Sequence, residues 1–215
     1  MLPHIGEPQD ARWATPSELA GPRLQAALTY CGTSLGTDRD DIRGQRLIEV
    51  VTWCLAVPSA AALLQKGEIP DLIEPHVWIE ADPPGGVALT LPRDAWQPGG
   101  LPQLRAAIAA HTTPLIEAVN AHTRRPAAAL ERAVEDRIAA AIVWIAQMSN
   151  ATAHARTLLD GEAEIRMLDL GTHELLLHVR AGCCLYYRLP AGLKCFSCPL
   201  IDDEDRRRLV AGGGT

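Results

Sequence analysis

The residues best suited to chemistry are four cysteines near the C-terminal end, Cys183, Cys184, Cys195 and Cys198, spaced C-C-x10-C-x2-C. Four thiolates are what a 2Fe-2S cluster takes, two on each iron, and also what closes a structural zinc site. A Cys-x2-Cys arm lets two sulfurs converge on one metal while the amides between them point at sulfur, and such hydrogen bonds raise the potential of an anionic cluster. Cys195 and Cys198 form such an arm. The adjacent pair is harder to use, because neighbouring side chains of an extended strand face opposite ways. A turn helped by Gly182 is expected to bring both sulfurs inward. A zinc ribbon usually has two Cys-x2-Cys arms, and this chain has one. A dithiol redox pair leaves Cys183 and Cys184 without a role and lacks the βαβ setting of such pairs. Count and spacing therefore leave iron-sulfur and zinc both open.

The same segment carries Arg180, Arg188 and Lys194, which can offset the charge of a metal-thiolate centre, steer an anionic ligand, or stand simply solvated. Tyr186 and Tyr187 can shield the centre or stack on a ligand, although packing is the commoner use of aromatic surface. Phe196, the one phenylalanine of the chain, is expected to cover one side of the centre. Elsewhere the chemistry thins out. Cys31 and Cys54 lie among apolar residues of helix-like segments and read as core. The seven histidines are scattered, with no His-Glu-x-x-His pair. The glycines form no dinucleotide or phosphate-binding loop in a strand-to-helix setting, so the chain has no nicotinamide site of its own.

These residues need a scaffold, and the hydrophobic pattern predicts a mainly helical one. Thr15-Pro16-Ser17-Glu18 supplies an N-cap, a first-turn proline and a capping-box carboxylate for a helix running to about Tyr30. A second helix carries Ile42, Leu47, Val50, Val51, Cys54 and Leu55, is broken or kinked at Pro58, and ends at Gly67. Alternation at Val77, Ile79, Val87, Leu89 and Leu91 around Asp82-Pro83-Pro84-Gly85-Gly86 predicts a hairpin near 76–91. Three helices follow, at Leu101 to His111, Pro114 to His122 and Pro126 to Met148, then a fourth at Asn150 to Leu159. Strands at Ala163 to Leu168 and Glu174 to Val179, turned at Gly171-Thr172, lead into the cysteines. Ile201 to Val210, acidic and then basic, reads as a short helix with a solvated face.

The expected class is α+β, a mainly helical body with a small antiparallel hairpin or sheet and a C-terminal cysteine-rich loop. Residues 1–160 would form the body and 161–215 the second hairpin plus the cysteine segment, together one folding unit, as 215 residues allow. A net charge of -6 argues against a general nucleic-acid partner. No transmembrane run and no leader is read in the sequence, so a cytoplasmic protein is expected.

The run Cys183-Cys184-Leu185-Tyr186-Tyr187-Arg188-Leu189-Pro190, with Gly192 and then Cys195-x2-Cys198-Pro199-Leu200, closely resembles the C-terminal signature of the FhuF-like family of siderophore-iron reductases. Upstream the likeness is a similar helical layout, including the stretch from Leu63 to Pro70. Lys194-Cys195-Phe196-Ser197 departs from it, since small or acidic residues are commoner there. The resemblance implies a 2Fe-2S cluster on Cys183, Cys184, Cys195 and Cys198 and one-electron reduction of a ferric siderophore, releasing Fe(II) in iron transport. With no nicotinamide site of its own, such a reductase would need an outside electron donor: a ferredoxin, a flavin reductase or reduced flavin. Arg180, Tyr186, Arg188 and Lys194 would be the side chains that meet the substrate or tune the cluster. The alternative is a siderophore-binding or electron-transfer accessory protein with a 2Fe-2S or structural zinc site.

Overall fold

The computed structural model describes residues 4–5, 13–72, 77–81, 84–89, 96–190, 192 and 194–212. Two short strands, β1 (His4–Ile5) and β2 (Trp13–Ala14), come first. The expected capping box then starts α1 (Pro16–Ala20): the Thr15 hydroxyl accepts the Glu18 N–H, and the Glu18 carboxylate accepts the Thr15 N–H. That helix does not reach Tyr30. Gly21-Pro22 interrupts it, because proline lacks an N–H and drives the residue before it out of helical space, and α2 (Leu24–Leu35) follows.

The centre of the body is α3 (Asp40–Lys66), which runs through Pro58 as one helix. Burial holds it together there: Leu55, Ala56, Ser59 and Ala60 are all inaccessible, and Ser59 Oγ donates to the Leu55 carbonyl at 2.7 Å. Its most apolar window has a mean hydropathy of 1.9, as a membrane span would, but 67% of that window is buried within the protein. Gly67, in the left-handed region at φ 67°, ends it as expected.

Strand β3 (Glu68–Pro70) pairs antiparallel with β6 (Trp96–Pro98). Between them, β4 (Val77–Ala81) and β5 (Pro84–Leu89) form the expected hairpin, whose turn at 82–83 and far end at 90–91 lie outside the described residues. Joined by β1 and β2, the hairpin becomes a four-stranded sheet in the order β1-β5-β4-β2, with β1 parallel to β5.

Helices α4 (Leu101–Thr123) and α5 (Ala127–Met148) flank α3. Two helices were expected where α4 stands, with Pro114 starting the second. Instead Pro114 lies inside one helix, whose lost hydrogen bond is outweighed by burial of Ile108, Leu115, Ile116 and Val119 on the same face. After α6 (Thr152–Leu159), strands β7 (Ile165–Asp169) and β8 (Glu174–His178) form the second hairpin, and β8 lies against α5. The last helix is α7 (Asp203–Ala211), capped by the Asp202 carboxylate on the Asp205 N–H at 2.8 Å. The class is as read from the sequence: mainly helical, with small sheets and the cysteines beyond β8. Cys31 and Cys54 are buried, as expected of core residues.

Candidate metal centre

The cysteine segment leaves β8 and is pinned at once to the helical body. Asp136, on α5 and 3% exposed, accepts the backbone N–H groups of Ala181 at 2.8 Å and Gly182 at 3.0 Å. A Cβ on Gly182 would stand 3.3 Å from Asp136 Oδ2 and 3.4 Å from Arg132 Cβ, so glycine lets the chain lie close to α5. Arg125, just before α5, donates to the Cys183 carbonyl at 3.1 Å and to Gln45 of α3 at 3.3 Å.

The difficulty of adjacent cysteines is solved at Leu185. This residue adopts the left-handed conformation, φ 65°, and leads into a single 3-10 turn over Tyr186–Arg188. Its N–H donates to Cys183 Sγ at 3.4 Å, and the backbone of Tyr186 lies near the Cys184 sulfur and favours its thiolate. Gly182 was expected to make the turn; its φ is not positive, and its part is the close approach to Asp136.

The second arm closes on itself through the Cys198 N–H, which donates to the Cys195 carbonyl at 2.9 Å. It is tied to the end of β8 by the Arg180 N–H, which donates to the Ser197 carbonyl at 2.9 Å. From the other side Arg206 of α7, 2% exposed, donates to the carbonyls of Phe196 at 2.7 Å and Ile201 at 2.9 Å. The sequence reading had made this helix a solvated face; its one buried arginine braces the Cys-x2-Cys turn instead.

Folding brings the two arms together at Cys184 and Cys195, whose thiols lie close enough to shift each other's ionisation. The proximity of Cys184 lowers the Cys195 thiol below its ordinary range, with further help from Ser197 and Arg180, and Cys195 with burial raises Cys184. The pair gives up a first proton readily and keeps the second. Cys184 and Cys198 are buried, Cys183 and Cys195 half-buried. Among the described residues no group of three or more His, Cys, Asp or Glu side chains is placed to hold one metal ion, so the structure brings Cys184 and Cys195 together and does not gather all four cysteines. Thiolates with an amide donor on Cys183 and the Arg180 cation near Cys184 and Cys195 are donors of the kind a two-iron cluster takes, and the family match below selects that cluster over zinc.

Beneath the arms lies a buried charge network. Glu49 of α3 is inaccessible and pairs with Arg137 of α5 at 2.6 Å and with Arg180. Burial would push its carboxyl up, but Arg137 and Arg180 prevail and hold it down to about 2. Asp136 lies 3.6 Å from Arg180 and 3.4 Å from His178 Nε2. The Tyr186 hydroxyl donates to Glu49 at 3.1 Å and accepts from Arg46 at 3.4 Å.

The residues singled out in the sequence therefore separate. Arg180 and Tyr186 face inward, one 6% exposed and the other half-buried with its hydroxyl anchored on Glu49. Arg188 and Lys194 are exposed; Arg188 lies over the Tyr187 ring, 5.5 Å from its centroid, and bonds its hydroxyl at 2.9 Å. Phe196 is 38% exposed. Sequence reasoning missed Glu49, Arg125, Asp136, Arg137 and Arg206. The available signal for two of them was a carboxylate on the apolar face of a helix, Glu49 after Leu47-Ile48 and Asp136 between Val134 and Ile138.

Residues 180–200 match the family model of the FhuF 2Fe-2S C-terminal domain, so the resemblance read from the sequence is borne out over that segment. Neither the curated proteins nor the solved structures contain a match to this chain. The cofactor that goes with the matched domain is a 2Fe-2S cluster.

Proposed function

Starting from a chain whose residues 180–200 match an FhuF-type 2Fe-2S C-terminal domain, we propose that it is a ferric-siderophore reductase with its cluster on Cys183, Cys184, Cys195 and Cys198. The observation that carries this reading is the meeting of the two cysteine arms at Cys184 and Cys195, inside the matched segment. A cluster held there supplies one electron at a time, and one electron takes bound Fe(III) to Fe(II), which hard siderophore oxygens hold far more weakly.

The chain's own residues set the conditions for that transfer. The Leu185 amide on Cys183 Sγ and the buried guanidinium of Arg180, which favours the thiolates of Cys184 and Cys195, support the reduced, more negative state. Asp136, Arg125 and Arg206 fix the backbone on both sides, so little has to move when the charge changes. Half-buried Cys183 and Cys195 keep one edge of the site near the surface, where an outer chelate can approach. Exposed Arg188 and Lys194 stand in the same segment to attract an anionic complex. An outside donor, a ferredoxin, a flavin reductase or reduced flavin, must restore the electron. The thiols suit the reducing cytoplasm.

Anaerobic mixing of dithionite-reduced protein with ferric siderophores is the test. The expected result is reoxidation of the cluster in step with the appearance of ferrous iron. Failure with hydroxamate, catecholate and carboxylate chelates alike would overturn the reading, and rapid oxidation by a partner protein alone would assign the chain to electron transfer.

A further inference from the structure

Arginines from three parts of the fold close around half-buried Cys183. Arg125, just before α5, donates to the Cys183 carbonyl at 3.1 Å. Arg132, on the second turn of α5, stands against Gly182, its Cβ 3.4 Å from the point a Cβ there would take. Arg188, in the turn after the adjacent cysteines, lies 3.9 Å from Asp41, and Arg39, at the start of α3, meets the same carboxylate at 2.9 Å. Arg125 feels this company: burial lowers its guanidinium first, Arg188 and Arg132 lower it further, and Asp41 and Cys183 oppose them.

The sum is positive. Four guanidiniums face the Asp41 carboxylate, Asp40 is matched by Arg43 at 3.4 Å, and exposed Arg124 and Lys194 offset exposed Asp38 and Glu131. This edge is therefore cationic on a chain whose net charge is -6. Stability does not account for it, because exposed ion pairs contribute about 0 to 1 kcal/mol and neighbouring like charges repel. The face is also wide. Arg125 and Arg132 are seven positions apart, roughly 10 Å at the helical rise, and Arg188 and Arg39 extend the face to the start of α3. Tyr187, 38% exposed, lies under the Arg188 guanidinium at 5.5 Å, and tyrosine and arginine are the residue types that dominate protein contacts. Charge spread over several rigid elements around an exposed aromatic suits a protein surface better than one small chelate.

Resting on the reductase reading, which requires an outside donor, we propose that this edge docks an acidic one-electron carrier protein. Carboxylates of the carrier meet Arg39, Arg132 and Arg188. One electron then passes from its reduced centre to the oxidised cluster at the Cys183 edge, with no bond made or broken. Opposite charge of this kind raises encounter rates by roughly ten- to a thousandfold, and electron-transfer complexes need only a small, short-lived interface. Because Arg188 also faces an anionic chelate, Arg132 is the residue that separates donor from substrate.

An acidic plant-type 2Fe-2S ferredoxin is the probe. With both proteins oxidised no electron moves, so calorimetry at low salt reads binding alone. Arg132→Glu is expected to weaken that binding about tenfold and Arg132→Gln by less, and about 0.2 M salt should weaken the native complex similarly. In stopped flow, reduced ferredoxin should reduce the Arg132→Glu cluster about tenfold more slowly than the native one. Methyl viologen radical, a small cation, should reduce the variant at least as fast as the native protein, and the visible spectrum of the variant should be unchanged. Binding and rates indifferent to Arg132→Glu and to salt, or equal slowing with methyl viologen, would overturn the proposal. So would a variant that loses speed toward anionic ferric chelates instead of toward ferredoxin, which would give this face to the substrate. Each of these outcomes leaves ferrous iron release by dithionite-reduced native protein standing, whereas absence of that iron would overturn the reductase reading with ferredoxin binding intact.

Discussion

Arg180, three residues before Cys183, and Glu49, in the middle of α3, form a buried ion pair across 131 positions of sequence. This pair joins the cysteine segment to the centre of the helical body. Arg137 and Tyr186 meet the same carboxylate, so Glu49 orients groups from α5 and from both sides of the adjacent cysteines. The network is a keel for the cysteine arms, and the predictions follow from removing its parts.

Glu49→Gln removes the charge facing Arg137 and Arg180 and leaves two guanidiniums poorly matched. Breaking a buried pair in this way costs about 3 to 5 kcal/mol. Thermal unfolding should show a lower midpoint, with visible cluster absorption lost before far-UV helical signal, because β8 and the cysteine segment detach ahead of the helices. Simultaneous loss of both signals would show that the network braces the whole body equally.

Acid should act through the same residue. The Glu49 carboxyl is held at about 2 in the folded protein, below its ordinary 4.5. The stability it contributes is therefore complete above about 4.5 and is lost as pH falls from there through about 2. Urea unfolding of the native chain across that range should show stability falling with acid, and Glu49→Gln should show a shallower slope over the same range. Equal slopes would remove Glu49 from the account.

Leu185 offers a test of the adjacent-cysteine geometry. Proline there forbids a φ of 65° and removes the N–H that reaches Cys183 Sγ, so Leu185→Pro should abolish cluster loading. Asparagine tolerates left-handed backbone and keeps the donor. Leu185→Asn should load iron normally while losing about 1.5 to 3 kcal/mol of stability for the buried leucine. Iron content after reconstitution and chemical denaturation separate the two effects.

Arg206→Met leaves the Phe196 and Ile201 carbonyls without their shared donor. A loss of about 1 to 3 kcal/mol is expected, concentrated in the Cys195–Cys198 turn. Hydrogen exchange should report it as faster opening of that turn and of α7, with α3 to α5 unchanged; a uniform increase would contradict the bracing role.

Much of this was legible in the sequence. Period and capping residues located α3, α5 and both hairpins, and the cysteine spacing marked the centre. Pro58 and Pro114 misled at the boundaries, because an internal proline is read locally as a stop while the burial that tolerates it comes from other helices. Strands β1 and β2 span two residues each, too few for any period to register. The charge network was illegible for a different reason. Glu49, Asp136 and Arg180 each look like an ordinary charged residue until folding removes them from water together, and only then does the absence of solvent make each the other's required partner.

Iron and acid-labile sulfide analysis, combined with low-temperature EPR of dithionite-reduced protein, tests most directly whether the four cysteines hold a 2Fe-2S cluster. The account predicts two irons and two sulfides per chain and a spin-one-half signal, altered or lost in serine variants of Cys183, Cys184, Cys195 and Cys198 and unchanged in those of Cys31 and Cys54. Colourless, EPR-silent protein containing one zinc per chain, or an iron signal indifferent to those four positions, would contradict it.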